Sequence, residues 1–267
     1  MPIEPPGMLP ADPPQSRSTR RAVLIGGVPI ALKGSTARAS QLSAPPQLKN
    51  SALDRLFAEA MHTGMKDYEE RLLDIKSELF TAARGYLDSL PAPQVLEVGI
   101  GVGPNLRFLG SDRVKIFGLE PNKYMIPYLE EEAARVGLDV QVVHGVAESM
   151  TTIPSESMDM VVCTLVLCSV TDVSRALQEM ARVLKPDGRL LIIEHVRGTG
   201  LTRLGQRAFS PLQQLLADGC HLDRDFTDVP AASRLFDVSG IRAVQVPGLG
   251  LLSDHKIGLV GLAHLER

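Results

Sequence analysis

The 267-residue sequence predicts an α/β fold built on a mainly parallel, doubly wound sheet. Three observations support this prediction. From Gln94 onward, short apolar runs alternate with segments in which apolar residues recur at helical spacing. The first run ends in a glycine-rich turn, Gly99-Ile100-Gly101-Val102-Gly103, which is typical of a buried parallel strand that feeds a helix. Hydrophobic residues make up 44% of the chain, which is enough for a sizeable core.

Residues 1–50 differ in composition from the rest of the chain and are predicted to be a separate leader. Prolines are dense, and only Glu4 and Asp12 are acidic. The pair Arg20-Arg21 precedes an apolar run, Ala22–Leu32, and the segment Ala37-Arg38-Ala39 follows. This arrangement resembles a twin-arginine translocation signal or an organellar transit peptide. We expect a leader directed to the plastid, with delivery to the thylakoid as one variant. Bacterial export, a cytoplasmic protein and a disordered tail are the alternatives.

The segment from Ser51 to Tyr86 shows helical periodicity and predicts two helices that cover the start of the core. We expect the break between them near His62-Thr63-Gly64. Tyr68, on the second helix, is a candidate to close over a ligand bound at the glycine turn, and simple core packing is the alternative.

Strands and helices then alternate along the chain. The predicted strands are Gln94–Val98, Val114–Leu119, Val140–Val143, one within Met158–Leu167, and Arg189–His195. Three helices are predicted between these strands: one begins near Asn105, one ends at Val136 before Gly137, and one spans Ser174–Leu184. A turn is predicted at Lys185–Gly188. In such a sheet, ligands bind at the carboxyl ends of the strands.

Charge and cysteine content exclude several classes of function. The net charge of −3 argues against a general nucleic-acid binder, which usually carries a basic surplus. Cys163, Cys168 and Cys220 show no metal-ligand spacing and no disulfide pattern, so we expect buried free thiols and no metal. The sequence contains no feature that fixes an oligomeric state.

The glycine turn and Glu120 together predict a nucleoside-containing cofactor. Glycine reaches positive φ without penalty and leaves room for a ligand beside the backbone. Glu120 lies about twenty residues beyond the glycines, at the end of the second strand, where a carboxylate accepts both hydroxyls of a ribose. Up to this point the pattern fits NAD as well as S-adenosylmethionine.

Later segments resemble the class I S-adenosylmethionine-dependent methyltransferases. The matching series is Glu97-x-Gly99-x-Gly101-x-Gly103, Glu120, Ala147-Glu148, Asp159-x-Val161-Val162 and Leu184-Lys185-Pro186-Asp187-Gly188-Arg189. The resemblance covers the chain from about Leu53 to the C-terminus, so residues 51–267 are expected to form one methyltransferase domain. It implies a seven-stranded sheet that ends in an antiparallel pair, Ile241–Val246 and His255–Leu265.

The same resemblance assigns S-adenosyl-L-methionine as the cofactor and implies the residues that hold it. Glu97 would order the glycine turn, and the three glycines would admit the methionine part. Glu120 would bind the ribose, Ala147 and Glu148 would meet the adenine edge, and Thr164 and Leu165 would line the path to the methyl group. The full implied set is Glu97, Gly99, Gly101, Gly103, Glu120, Pro121, Asn122, Ala147, Glu148, Thr164 and Leu165.

Three further segments are similar to the alkyl thiol methyltransferases, a branch whose core is similar to the UbiE-type quinone methyltransferases. These segments are Val162–Val170, Glu194-His195-Val196 and Asp218–Arg224. The resemblance implies a small, lipophilic thiol as substrate. Because the animal members are membrane-anchored, it also makes peripheral association with a lipid surface one alternative. This chain has Ile100, Val102 and Glu120 where Cys, Thr and Asp are common, which puts the substrate rather than the cofactor in doubt.

Within these segments, His195 is the candidate general base because it ends the fifth strand, where side chains reach the cofactor edge. Asp218, Cys220 and His221 are the candidate substrate contacts. C-methylation of a prenylquinone stays open as an alternative reaction. A dinucleotide-dependent oxidoreductase and a cofactor-binding protein without turnover are the alternatives from other classes.

Overall fold

The central element of the computed structural model is a seven-stranded sheet with the order β3-β2-β1-β4-β5-β7-β6. The strands are β1 (Gln94–Val98), β2 (Lys115–Glu120), β3 (Val140–His144), β4 (Met158–Thr164), β5 (Leu184–His195), β6 (Arg242–Gln245) and β7 (Asp254–Gly261). The first five strands pair in parallel, and β7 pairs antiparallel with both β5 and β6. This architecture confirms the predicted doubly wound sheet and its final antiparallel pair.

The structure describes residues 51–110 and 113–263, and these residues belong to one compact unit. The predicted leader, residues 1–50, and the last residues of the chain lie outside this range. Within the described residues, no helix is long and apolar enough to cross a membrane.

Helices cover both faces of the sheet. They are α1 (Ala52–Gly64), α2 (Lys66–Arg71), α3 (Leu73–Asp88), α4 (Leu106–Leu109), α5 (Ile126–Val136), α6 (Val173–Val183), α7 (Gly200–Leu216) and α8 (Pro230–Leu235). Short 3₁₀ turns lie at Phe226–Asp228, Val238–Gly240 and Gly250–Leu252. The sequence reading gave no prediction for α7.

The N-terminal segment forms three helices, so the prediction of two helices was wrong. The breaks fall at Met65 and Leu72, both of which stay close to helical geometry with ψ near zero. The chain therefore bends twice without a loop, which periodicity alone does not reveal. Ser51 begins α1 with a capping box in which Asp54 is the partner, and this explains why the helix starts there.

The predicted turn at residues 185–188 appears as an irregularity within β5. Met158 pairs with Leu184, but Met160 pairs with Arg189, so the residues between bulge out of the ladder. The Lys185 ammonium beside the bulge pairs with Asp159 Oδ1 at 2.8 Å. The Asp159 carboxylate is thus used to hold the strand entrance, away from the carboxyl edge of the sheet.

The core has two layers, one on each face of the sheet. β4 supplies both, because Val161 and Cys163 belong to one apolar cluster while Met160 and Val162 belong to the other. Burial on both faces explains why this strand is an unbroken apolar run in the sequence.

Candidate functional site

A cavity of about 240 Å³ lies at the carboxyl edge of the sheet, between the glycine turn and the loops after β2, β3 and β4. Helix α1 supplies Phe57 and Met61 to its lining, and Met65 follows from the first bend. The predicted closure of this edge by the N-terminal segment therefore comes from apolar side chains of α1. Tyr68 is instead buried against Leu72 and Val246 in a small core cluster.

The three glycines of the turn have different surroundings, although all have positive φ. A Cβ on Gly99 would lie 2.5 Å from Val166 Cγ2, and one on Gly103 would lie 2.9 Å from Leu129 Cδ1. A Cβ on Gly101 would have only the Gly99 carbonyl oxygen near it, at 3.9 Å. Gly101 thus borders open space in the cavity, whereas Gly103 serves the packing of the turn on α5.

Glu120 holds the glycine turn in place. Its Oε2 accepts a hydrogen bond from the Gly101 backbone N–H at 2.9 Å, and its Oε1 accepts one from Asn122 N–H at 2.8 Å. The side chain is buried and lines the cavity. A carboxylate that lines a cavity can also accept hydrogen bonds from the hydroxyls of a ligand.

Glu97 is a buried carboxylate with one oxygen left over. Its Oε1 accepts a hydrogen bond from Asn105 Nδ2 at 2.7 Å, while Oε2 has no hydrogen-bond partner among the described residues. Burial raises the pKa of Glu97 to about 7, although the Asn105 bond opposes this shift. Glu97 thus contacts a residue that lies just after the glycine turn, while Glu120 holds the Gly101 amide, and the role of Glu97 in ordering the turn stays a prediction.

Asn105 is a residue that the sequence reading missed. Its Nδ2 donates to Glu97 Oε1 and also to Thr164 Oγ1, at 2.9 Å. It therefore joins the ends of β1 and β4 beneath the cavity. An Asn directly after a glycine-rich turn looks like an ordinary helix start in the sequence, so only the long-range contact to Thr164 reveals its position.

The other predicted cofactor residues divide into two groups. Pro121, Ala147, Glu148, Thr164 and Leu165 line the cavity together with Glu97, Gly99, Gly101 and Glu120. Gly103 and Asn122 lie outside the lining. Asn122 Nδ2 donates to the Asp54 carbonyl, so Asn122 fastens the start of α1 to the loop after β2.

Glu148 and Leu165 are held by backbone contacts. Glu148 Oε1 accepts from the Thr171 N–H at 2.7 Å and the Asp172 N–H at 3.3 Å, which draws the start of α6 to the cavity. Leu165 has a φ of 58°, a left-handed conformation that is costly for a leucine. Its N–H donates to the Ile193 carbonyl, and this bond fixes the sharp exit from β4.

The predicted substrate residues reach the site to different extents. Asp218 lines the cavity, with a φ of 55°, whereas His195, Cys220 and His221 lie outside the lining. The His221 N–H donates to the Cys168 carbonyl at 2.9 Å, so His221 joins its segment to the loop after β4 through its backbone.

His195, Cys168 and Cys220 form a buried group, here called the Cys/His cluster. Their sulfur and nitrogen atoms all lie within 4.8 Å of one another, and His195 Nε2 is 3.1 Å from Cys220 Sγ. Sequence spacing gave no sign of a metal-ligand set, yet the fold assembles two thiols and an imidazole that could hold a soft ion such as Zn²⁺. His195 Nδ1 has no partner among the described residues, although metal-bound histidines usually donate from their second nitrogen.

Electrostatic interactions shift the pKa values of all three members of the Cys/His cluster. Burial lowers the pKa of His195, but the charge and hydrogen bond of Cys168, helped by Glu194, outweigh it and the net shift is upward. The hydrogen bond with Cys168 lowers the pKa of Cys220 against the effect of burial. The hydrogen bond with Cys220, together with burial, raises the pKa of Cys168, so Cys220 is the one of the two thiols that loses its proton more readily.

Glu194 is a second residue whose position the sequence reading missed. Its Oε1 accepts from the Val166 N–H at 2.6 Å and from the Leu167 N–H at 2.8 Å. Burial raises its pKa, while these two backbone bonds act in the opposite direction. Glu194 thus orders the loop after β4 that carries Leu165 into the cavity. The sequence feature that could have indicated this role is the position of Glu194 in the segment Glu194-His195-Val196, which resembles the alkyl thiol methyltransferases.

Comparison with known proteins identifies the family. Residues 96–192 match the model of a methyltransferase domain. Over 144 residues the chain is 31% identical to phosphatidylethanolamine N-methyltransferase from Cereibacter sphaeroides. The aligned region covers 53% of this chain and 70% of that protein. The chain belongs to the methyltransferase domain family.

Other similarities agree with this membership. The chain is 36% identical over 163 residues to human thiol S-methyltransferase TMT1A, covering 59% of this chain and 66% of that protein. It thus spans slightly less than two thirds of that relative's length. The YcgJ protein from Bacillus subtilis has a similar fold, with a TM-score of 0.51 at 20% identity over 66% of this chain and 93% of that one.

S-adenosylmethionine is the cofactor that the family and the fold imply, and the residues present fit it. The unpartnered Glu97 Oε2 is a buried acceptor that suits the cationic amino group of the cofactor. The open space beside Gly101 suits its amino-acid part, and the Glu120 carboxylate in the cavity lining suits the ribose hydroxyls. The Glu97 carboxylate in the lining would repel a phosphate, which disfavours a dinucleotide.

Proposed function

We propose that the protein transfers a methyl group from S-adenosylmethionine to a small, lipophilic thiol. The observation that carries the thiol assignment is the Cys/His cluster. The three segments that resemble the alkyl thiol methyltransferases are distant in the sequence, yet they meet there, directly beside the cavity. The similarity to TMT1A, a thiol S-methyltransferase, supports the same acceptor.

The residues of the cavity have separate tasks in this reaction. When bound, S-adenosylmethionine supplies a methyl group activated by a sulfonium leaving group. Glu97 neutralises the amino group, and Glu120 accepts the ribose hydroxyls while it holds the Gly101 amide. Phe57 and Met61 exclude water, and Thr164 and Leu165 border the path of the acceptor. Alignment and dehydration are the main requirements of such an in-line displacement.

Methylation of a thiol requires little help from the protein in removing the thiol proton. A few per cent of an ordinary thiol is already thiolate near neutral pH, and the thiolate is the attacking form. We propose that the acceptor reacts through this thiolate fraction without a base that touches it, since His195 lies outside the cavity lining. A quinol or phenol carbon would need a base that touches the acceptor.

The acceptor is tested by incubating the full-length protein with S-adenosylmethionine and panels of thiols, quinols, phenols and amines, followed by mass spectrometry of the products. We expect methylated thioethers, with apolar thiols preferred over charged ones. Turnover of prenylquinols without turnover of thiols would replace the thiol proposal with the alternative of C-methylation.

The ribose assignment of Glu120 is tested with Glu120→Ala. Loss of charge-assisted hydrogen bonds should weaken cofactor binding by about 1.5–3 kcal/mol for each bond. The matched control is Glu130→Ala, which removes an exposed carboxylate from α5. If calorimetry gives the same affinity for S-adenosylmethionine with both variants, Glu120 does not bind the ribose. Binding of NAD alone would exclude the methyl donor itself.

We further propose that residues 1–50 direct the protein to a plastid. The paired arginines, the short apolar run and the scarcity of acidic residues support this destination. A fluorescent reporter fused behind residues 1–50 should accumulate in plastids of plant cells. A reporter that stays in the cytosol would contradict the proposal.

A further inference from the structure

Helix α7 turns its polar side chains toward the protein. Gln206 is fully buried, and its amide contacts the Gly198 N–H, the Val196 carbonyl and the Leu251 carbonyl at 2.8–3.1 Å. One turn later, Ser210 is also buried, with its hydroxyl donating to Asp223 Oδ1 at 2.9 Å. These bonds fix the rotation of the helix about its own axis.

The opposite face of α7 is apolar and exposed. Six of the ten large hydrophobic side chains that are exposed among the described residues belong to this one helix. They are Leu201 (86% exposed), Leu204 (66%), Phe209 (56%), Leu212 (52%), Leu215 (71%) and Leu216 (68%). Leu201, Leu204, Ala208, Leu212 and Leu215 recur at steps of three or four residues, which places them in one stripe.

An inverted helix of this kind indicates an apolar partner. A soluble monomer ordinarily buries leucines and exposes glutamines, and contiguous exposed apolar patches mark interaction surfaces. A rotation of α7 that buried the leucines would separate Gln206 and Ser210 from their buried partners. The apolar face is therefore a stable property of the fold.

The charges on α7 favour one kind of apolar partner over the others. The helix contains no Asp or Glu, and Arg203 and Arg207 are both exposed. A second copy packed symmetrically on this face would bring arginines together. The leader is also basic, with six Lys or Arg residues and only Glu4 and Asp12 as acids, so like charges oppose its docking on α7. An anionic surface with an apolar layer beneath it satisfies both features.

We propose that α7 binds flat on the surface of an anionic lipid bilayer. Its leucines enter the boundary of the acyl chains, and Arg203 and Arg207 contact the lipid phosphates. At 1.5 Å per residue the helix covers about 25 Å along the surface. Its C-terminal end is followed within two residues by Asp218 in the cavity lining, so the bound helix would hold this part of the cavity near the membrane surface. This docking stands whatever the methyl acceptor is.

The test measures flotation of the full-length protein with vesicles of phosphatidylcholine alone or of equal parts phosphatidylcholine and phosphatidylglycerol. We expect binding to the second kind, weakened by added salt. The variant L204Q/L212Q should bind at least about tenfold more weakly, since each leucine loses the gain from burial in the apolar layer. The control L53Q/L56Q alters two leucines on α1 that are equally exposed and should bind like the wild type.

Three outcomes would overturn the proposal. The first is that the wild type binds neither kind of vesicle, and the second is that the wild type and L204Q/L212Q bind equally well. The third is a dimer in analytical ultracentrifugation that L204Q/L212Q dissociates, which would assign the face to a second copy. Unchanged calorimetric affinity of L204Q/L212Q for S-adenosylmethionine shows that the variant is folded.

Discussion

Glu97 gives the most direct test of how the site recognises its cofactor. The structure leaves its Oε2 without a partner among the described residues, and burial raises its pKa from 4.5 to about 7. That increase corresponds to about 3 kcal/mol, which is the cost of keeping the carboxylate charged in its buried position. A cofactor with a cationic amino group offsets this cost, so it should bind the ionised form of Glu97.

The affinity for S-adenosylmethionine should therefore fall as pH is lowered through 7. With a pKa of about 7, about one half of Glu97 is ionised near pH 7 and about one tenth near pH 6, a range in which an α-amino group stays mostly protonated, so we expect a loss of about fivefold. Glu97→Gln keeps the acceptor for Asn105 but removes the charge, and its weaker affinity should not change over this range. Isothermal titration calorimetry at each pH measures both proteins.

The same substitution should change folding stability with the opposite dependence on pH. The raised pKa means that the folded state holds its proton longer than the unfolded chain, so stability is lost as pH rises from about 4.5 through 7. Without cofactor, Glu97→Gln should thus be more stable than the wild type near pH 8, by at most about 3 kcal/mol. The advantage should vanish near pH 4. Both values come from urea unfolding.

A comparison with the wild type is needed because His255 acts in the opposite direction. Burial lowers the pKa of His255 to about 4, so its contribution to stability is lost as pH falls from about 6.5 through 4. Glu130→Gln, at an exposed site, serves as the control. A cofactor affinity that is independent of pH in the wild type, or equal in the wild type and Glu97→Gln, would refute the assignment of Glu97.

Three further predictions concern the turn, the core and the Cys/His cluster. Gly99→Ala should destabilise the fold more than Gly137→Ala in urea unfolding. At both positions alanine would have to adopt positive φ, which costs about 1–2 kcal/mol, but only a Cβ at Gly99 would clash with Val166. Equal losses of unfolding free energy in the two variants would show that the clash does not contribute. Tyr68→Phe should cost about 1–3 kcal/mol, because it leaves His255 Nε2 buried without its 2.8 Å partner, and an unchanged urea midpoint would contradict this. Elemental analysis should find no stoichiometric metal in the purified protein, because the cluster offers three ligand atoms rather than the four of a structural zinc site and His195 Nδ1 has no partner among the described residues; one bound Zn²⁺ per chain would overturn this expectation.

Much of the fold could be predicted from the sequence because its signals are local. The alternation of apolar runs with helical periodicity produced the five parallel strands, and Gly137 ends α5 in the left-handed conformation as expected. The bends at Met65 and Leu72 were missed because each residue keeps nearly helical angles. Helix α7 was not predicted although its leucines recur at helical spacing, and only the structure shows that this stripe faces outward.

By itself, the sequence determined the family, the cofactor and the strand ends at which the cofactor residues would gather. Glycine spacing and the position of Glu120 depend on residues close together in the chain, and such patterns survive without a structure. Only the tertiary structure decided which carboxylate holds the turn and which one keeps an oxygen for the ligand. It also assembled the Cys/His cluster and fixed the outward face of α7. These features arise from burial and from contacts between segments tens of residues apart, which no local pattern encodes.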